Sequence, residues 1–230
     1  KMTRTPVAAV LVLAVAGLFA QVPSGVVGGQ PAMAAEEAAG SGAAEAGDDA
    51  APSVEIRASD HVLGDPDAPV AIVEYTSLTC PHCADFHTDV LPKLRREWIE
   101  PGKAKLVYRH FPLDTLSLAA ALLADCFDDD RFFEVVGTLF ARQADWARAE
   151  KPVQVLREIM RSAGMADSTF DRCVSDQGAA DAILADRKTF AQKVGIQATP
   201  TFMIHGKRLQ GAQAYETFDQ ALEQALQEAR

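Results

Sequence analysis

Cys80-Pro81-His82-Cys83 is the part of the sequence best equipped for chemistry. Two thiols three positions apart at a helix start have Cα atoms about 5–5.5 Å apart, close enough for a disulfide. The segment falls between a β-forming run and a helical one, and a C-x-x-C in that place is a redox signature. The rival reading is half of a zinc site. Zinc needs a second ligand pair, and Cys126 and Cys173 are neither closely paired nor near, so no metal is expected. The two sulfurs should differ. Cys83 is in register with Phe86, Val90 and Leu94 on one apolar stripe, whereas Cys80 at the cap should face solvent. Unpaired N–H groups of the first helical turn point at the Cys80 sulfur, and His82, protonated or donating, adds a second favourable contribution. Both lower the Cys80 pKa, and a stable thiolate makes the disulfide a strong oxidant. Pro81 suits the first helical position, where its missing N–H goes unneeded.

The elements around this motif follow from the periodicity. Val70 to Thr76 is a run of β-formers with apolar residues side by side, as in a strand buried on both faces. Pro81 to Trp98 reads as a helix that Pro92 should kink. Lys105 to Phe111 is a second strand. Leu116 to about Gln177 carries apolar residues at helical spacings and no strand pattern, so it is a block of several helices. Ala179 to Val194 is a further helix, Thr201–Ile204 and Arg208–Gln210 are strands about the turn His205-Gly206-Lys207, and a helix starting near Tyr215 ends the chain. This order predicts an α/β fold, a central mixed sheet with flanking helices, and a helical insertion at about 115–180 that caps one side.

Composition narrows the class. The 230 residues are 48% hydrophobic and 23% charged, with a net charge of −10, which suits a soluble globular chain and argues against nucleic-acid binding. Four cysteines are too few for a disulfide scaffold. Residues 1–34 have the layout of a secretory signal peptide: a basic start at Lys1 and Arg4, an uncharged apolar run from Val7 to Ala20, and Ala32-Met33-Ala34 for cleavage. An uncleaved membrane anchor is the alternative. Residues 35–53, rich in Ala, Gly and acids, read as a flexible linker, leaving 54–230 as the folded domain. Export implies an oxidising compartment, where cysteine pairs can persist as disulfides.

Glu74-Tyr75-Thr76-Ser77-Leu78-Thr79-Cys80-Pro81-His82-Cys83, together with Thr199-Pro200-Thr201-Phe202, resembles the DsbA family of bacterial thiol-disulfide oxidoreductases. The resemblance spans about Val54 to Arg230 and implies a thioredoxin fold with a helical insertion. It makes Cys80 the nucleophile and Cys83 the resolving thiol. It makes Pro200 the family's cis-proline, with the Thr199 backbone free to pair with an extended substrate. Glu74 matches the family's buried acid: burial would raise its pKa and let it exchange a proton with Cys83. A strand-end carboxylate reaching water is the other reading. His61, His87, His110 and His205 are read as surface or packing residues; His87 lies one helical turn beyond Cys83. Arg109, His110 and Phe111 leave a strand toward the rim of the site. Asp128, Asp129 and Asp130 form a solvated helix start. In an exported protein, Cys126 and Cys173 are expected to form a structural disulfide.

The function expected is the introduction of disulfides into exported proteins by exchange through Cys80–Cys83, with no cofactor beyond that disulfide. The resemblance implies reoxidation by a DsbB-like, quinone-linked membrane partner, and a monomer is expected. Two other functions compete. Thr199 stands where the best-known oxidases carry valine, and Thr there also occurs in reducing or isomerising relatives. A non-enzymatic metal carrier or peptide-holding chaperone is the second.

Overall fold

The computed structural model describes residues 54–229. The expected signal peptide and linker lie outside the described residues. Five strands, β1 (His61–Leu63), β2 (Val70–Thr76), β3 (Ala104–His110), β4 (Thr201–Ile204) and β5 (Lys207–Gln210), form one sheet in the order β1-β3-β2-β4-β5. β2 pairs in parallel with β3 and antiparallel with β4. Parallel neighbours need a crossover, and the helical stretch 81–99 supplies it. β2 is buried along nearly its whole length, which is why its sequence reads as a continuous apolar run broken by Glu74. β1, three residues pairing antiparallel with β3 at the sheet edge, was not expected; so short a segment carries no periodicity.

The crossover is a helix that changes pitch. α1 (Pro81–Asp85) is followed by a π turn at Phe86–Val90, α2 (Leu91–Leu94) and a second π turn at Arg95–Ile99. Pro92 sits in the first turn of α2, so its missing N–H and bulky ring are absorbed by the wide turn before it. The expected kink is thus a local widening.

α3 (Thr115–Ala124), α4 (Asp129–Ala141), α5 (Gln143–Ala147), α6 (Pro152–Ser162) and α7 (Asp167–Val174) form the helical cap. Asp114 and Asp128 cap α3 and α4 by accepting from the amides of Ser117 and Arg131. α8 (Gln177–Thr189) runs through a π turn at Phe190–Val194 to Gly195, whose positive φ of 72° ends the helix. α9 (Tyr215–Glu228) closes the chain and is tied back by Trp98 Nε1 donating to Asp219 at 2.8 Å.

Three apolar clusters result. Phe86, Phe202 and Phe218 meet at 4.5–5.3 Å on one sheet face, beside Ile72 and Leu106. Val73, Tyr75, Val107 and Met203 meet Phe190 on the other. The cap's own cluster, with Phe132, Leu139, Trp146 and Phe170, also contains Leu78, Cys80, Cys83 and Tyr108. The C-x-x-C therefore lies at the seam between sheet and cap.

Candidate active site

Cys80 precedes α1 with extended backbone, φ −80° and ψ 120°, and Pro81 opens the helix. Both thiols are free in this structure. Cys80 is buried, only 7% exposed, against 0% for Cys83, which corrects the expectation that it faces solvent. The loop before β4 covers it: Cys80 Sγ lies 3.3 Å from the Thr199 carbonyl oxygen, which accepts from the thiol when it is protonated, and the Thr199–Pro200 bond is cis.

The asymmetry between the sulfurs comes from a hydrogen bond at Cys80 and from burial at Cys83. The Cys83 thiol donates to the Cys80 sulfur and holds its pKa down at about 5, against the opposing effect of burial. The peptide N–H groups of the first helical turn, those of Cys83 and His82, act in the same direction. Cys83 is pushed far up, first by burial and then by the neighbouring Cys80. His82 thus contributes through its backbone. Its imidazole is well exposed and faces Asp85 at 3.3 Å.

Glu74 is fully buried in the middle of β2 and does not reach water. Its two oxygens lie 3.0 and 3.1 Å from His87 Nε2. The His87 ring is itself buried and stacks on Phe140 of the cap at 4.1 Å. The sequence reading missed this pairing. Its signal was present, because His87 is four residues after the buried Cys83 and so shares its helix face. Tyr108 sits opposite Glu74 in register, and its buried hydroxyl is pushed well up in pKa by burial and by the nearby charges of Glu74 and Cys83. Glu74, His87, Tyr108 and the Cys83 sulfur therefore share one buried region.

Other residues fall elsewhere. Arg109 is buried on the opposite sheet face, bonded to Asp60 and to the Tyr75 hydroxyl, and fastens the segment before β1. His110 and His61 both contact Asp125 at the end of α3. His205 lies exposed in the β4–β5 turn near Glu228. Asp128–Asp130 begin α4, with Asp129 also facing His61. Cys126 and Cys173 form a disulfide between the end of α3 and α7, away from the C-x-x-C. No group of three or more metal-ligating side chains is gathered among the described residues.

Residues 57–224 match the family model described as "Thioredoxin". The crystal structure of Wolbachia pipientis alpha-DsbA1 superposes with a TM-score of 0.71 at 30% identity, covering 76% of this chain and 94% of that one. The chain belongs to the DsbA family. A Rickettsia bellii protein provisionally named a protein-disulfide oxidoreductase is 28% identical over 76% of this chain and 68% of its own length. Disulfide bond formation protein D of Bacillus subtilis is 27% identical over 72% of this chain and 76% of its own. A Rickettsia conorii relative is matched over only 62% of its length. A DsbA-family member is a thiol-disulfide oxidoreductase, and a nucleophilic thiol beside a buried one on a thioredoxin fold can perform that exchange.

Proposed function

We propose that this protein is an exported oxidase that passes its Cys80–Cys83 disulfide to reduced proteins. The observation that carries the reading is the separation of the two thiols, Cys80 ionised near neutrality and Cys83 held neutral. A substrate thiolate attacks Cys80 Sγ and Cys83 leaves, taking a proton. A second substrate thiolate then attacks the substrate sulfur of the mixed disulfide and expels Cys80, a good leaving group because its thiolate is stable. The substrate gains a disulfide and the protein holds the two electrons. In this reading Glu74, paired with His87 in the same buried region, exchanges a proton with Cys83. The backbone at Thr199 and Pro200 receives the substrate as an added strand, next to Cys80 Sγ. Pro81 and His82 shape the helix start, and Cys126–Cys173 braces the cap. No cofactor is required beyond the disulfide itself. Reoxidation falls to a DsbB-like membrane partner, and the signal peptide directs the chain to the periplasm.

The test is catalysed refolding. Mixed with a reduced, unfolded secretory protein, the oxidised enzyme should form substrate disulfides and become reduced one for one. Reshuffling of scrambled disulfides without net oxidation would make it an isomerase instead.

A further inference from the structure

Ser77 to Cys80 belongs to neither β2 nor α1, and the cap holds it in place. Gln143, the first residue of α5, is buried. Its Nε2 donates to the Leu78 carbonyl at 2.8 Å and to the Cys80 carbonyl at 2.9 Å, which uses both amide protons. α3 grips the same loop from the other side. Ser117 Oγ accepts from the Leu78 amide at 3.1 Å, and Thr79 Oγ1 donates to Asp114 at 2.7 Å. The Cys80 carbonyl also accepts from the amides of Cys83 and Ala84, at 3.1 and 3.2 Å. It is the joint between the loop and the active-site helix, and Gln143 fixes that joint from outside.

We propose that Gln143 is a positioning residue for thiol-disulfide exchange: by bonding the Leu78 and Cys80 carbonyls it fixes the joint between loop and helix, and with it the place of Cys80 Sγ at the start of α1. The inference rests on Cys80 being the nucleophile. Its consequence differs between redox states. In the oxidised protein the bond to Cys83 Sγ fixes the Cys80 sulfur covalently. In the reduced protein only backbone geometry keeps the thiolate at the N-terminus of α1, so removing Gln143 costs the reduced form more. In the exchange with glutathione, the protein disulfide and two glutathione thiols give oxidised glutathione, the Cys80 thiolate, the Cys83 thiol and one released proton. Loss of Gln143 shifts this equilibrium back toward the protein disulfide.

Q143M keeps side-chain length and removes both donors. The full chain is titrated by thiolate absorbance at 240 nm and equilibrated with glutathione, with Cys126–Cys173 left intact. The expected result is a Cys80 midpoint raised by about one pH unit and an equilibrium moved about tenfold toward the disulfide, the scale of losing hydrogen bonds that hold a charged site. L156A, a truncation in the buried part of α6, serves as the packing control and should move neither reading. Should Q143M fail to fold, Q143L takes its place. A folded donor-less variant with wild-type midpoint and equilibrium overturns the proposal, as does an equal shift in L156A. A wild-type midpoint at an ordinary thiol value would instead remove the assignment of Cys80 on which it rests.

Discussion

Burial raises the pKa of both Cys80 and Cys83, and what separates them is the deeper burial of Cys83 and the hydrogen bond its thiol gives to Cys80. Alkylation of the reduced protein should therefore modify Cys80 first, with a rate that follows ionisation at about pH 5; faster labelling of Cys83 would reverse the roles proposed. The sequence contained this asymmetry, because the helix start and the apolar stripe assign one cysteine to each. It did not contain the burial of Cys80, which comes from the Thr199 loop 119 residues away. The Glu74–His87 pair yields a second prediction. H87L leaves a fully buried carboxyl without its partner, and a stranded buried polar group costs about 1–3 kcal/mol, more if charged. E74Q/H87Q replaces the pair by two neutral groups able to bond each other. Denaturant unfolding should show H87L well below wild type and the double variant closer to it. Equal losses would mean that His87 matters only as a packed ring on Phe140.

At the scale of elements, one fastening braces the cap internally and another joins it to the sheet. One is covalent within the cap, where Cys126–Cys173 closes a sequence separation of 47 residues, worth about 4 kcal/mol in unfolded-chain entropy. C126A/C173A should lower the melting temperature while leaving exchange through Cys80 largely intact; loss of turnover in a folded double variant would place the bridge in the electron path. The other fastening is electrostatic. Asp125 at the end of α3 is held below the usual carboxylate range by His110 and His61, against the cost of its burial. His61 of β1 is raised in turn by Asp125 and Asp129, again against burial, and its ring stacks on Phe132 at 3.5 Å. Asp125 therefore stabilises the fold above its unfolded pKa of about 3.8, and the contribution fades as pH falls. His61 contributes below about 6.5 and loses its share as pH rises through its raised value. Thermal unfolding should show D125N losing most stability between these limits. A pH-independent deficit would make the contact one of packing alone. The long strands and helices here were legible from periodicity. β1 and the π turns were not, since three residues show no alternation and a π turn differs from an α turn by one residue of pitch.

For the whole molecule, strand-helix-strand, helical block and closing hairpin were enough to predict the mixed sheet and its cap. The seam that brings Gln143 of α5 and Thr199 before β4 to Cys80 depends on contacts distant in sequence, which no local pattern carries. That seam decides which redox state the fold favours. The ionised Cys80 exists only in the reduced protein. Its pKa of about 5 lies below the ordinary thiol value of 9.0, so it contributes stability that is complete above about pH 9 and disappears as pH falls through 5. Cys83 opposes this only in alkali, where the unfolded chain ionises that thiol and the folded chain does not. Against these stands the constraint of the Cys80–Cys83 ring on the unfolded oxidised chain, small because the loop is short. The reduced form should thus be the more stable at pH 7, and its lead should shrink steadily toward pH 4. Paired denaturant curves of oxidised and reduced protein at several pH values, with Cys126–Cys173 intact in both, measure the difference. A lead for the oxidised form at neutral pH would mean that the disulfide has no drive to leave, and the direction proposed here would have to be exchanged for reduction or isomerisation.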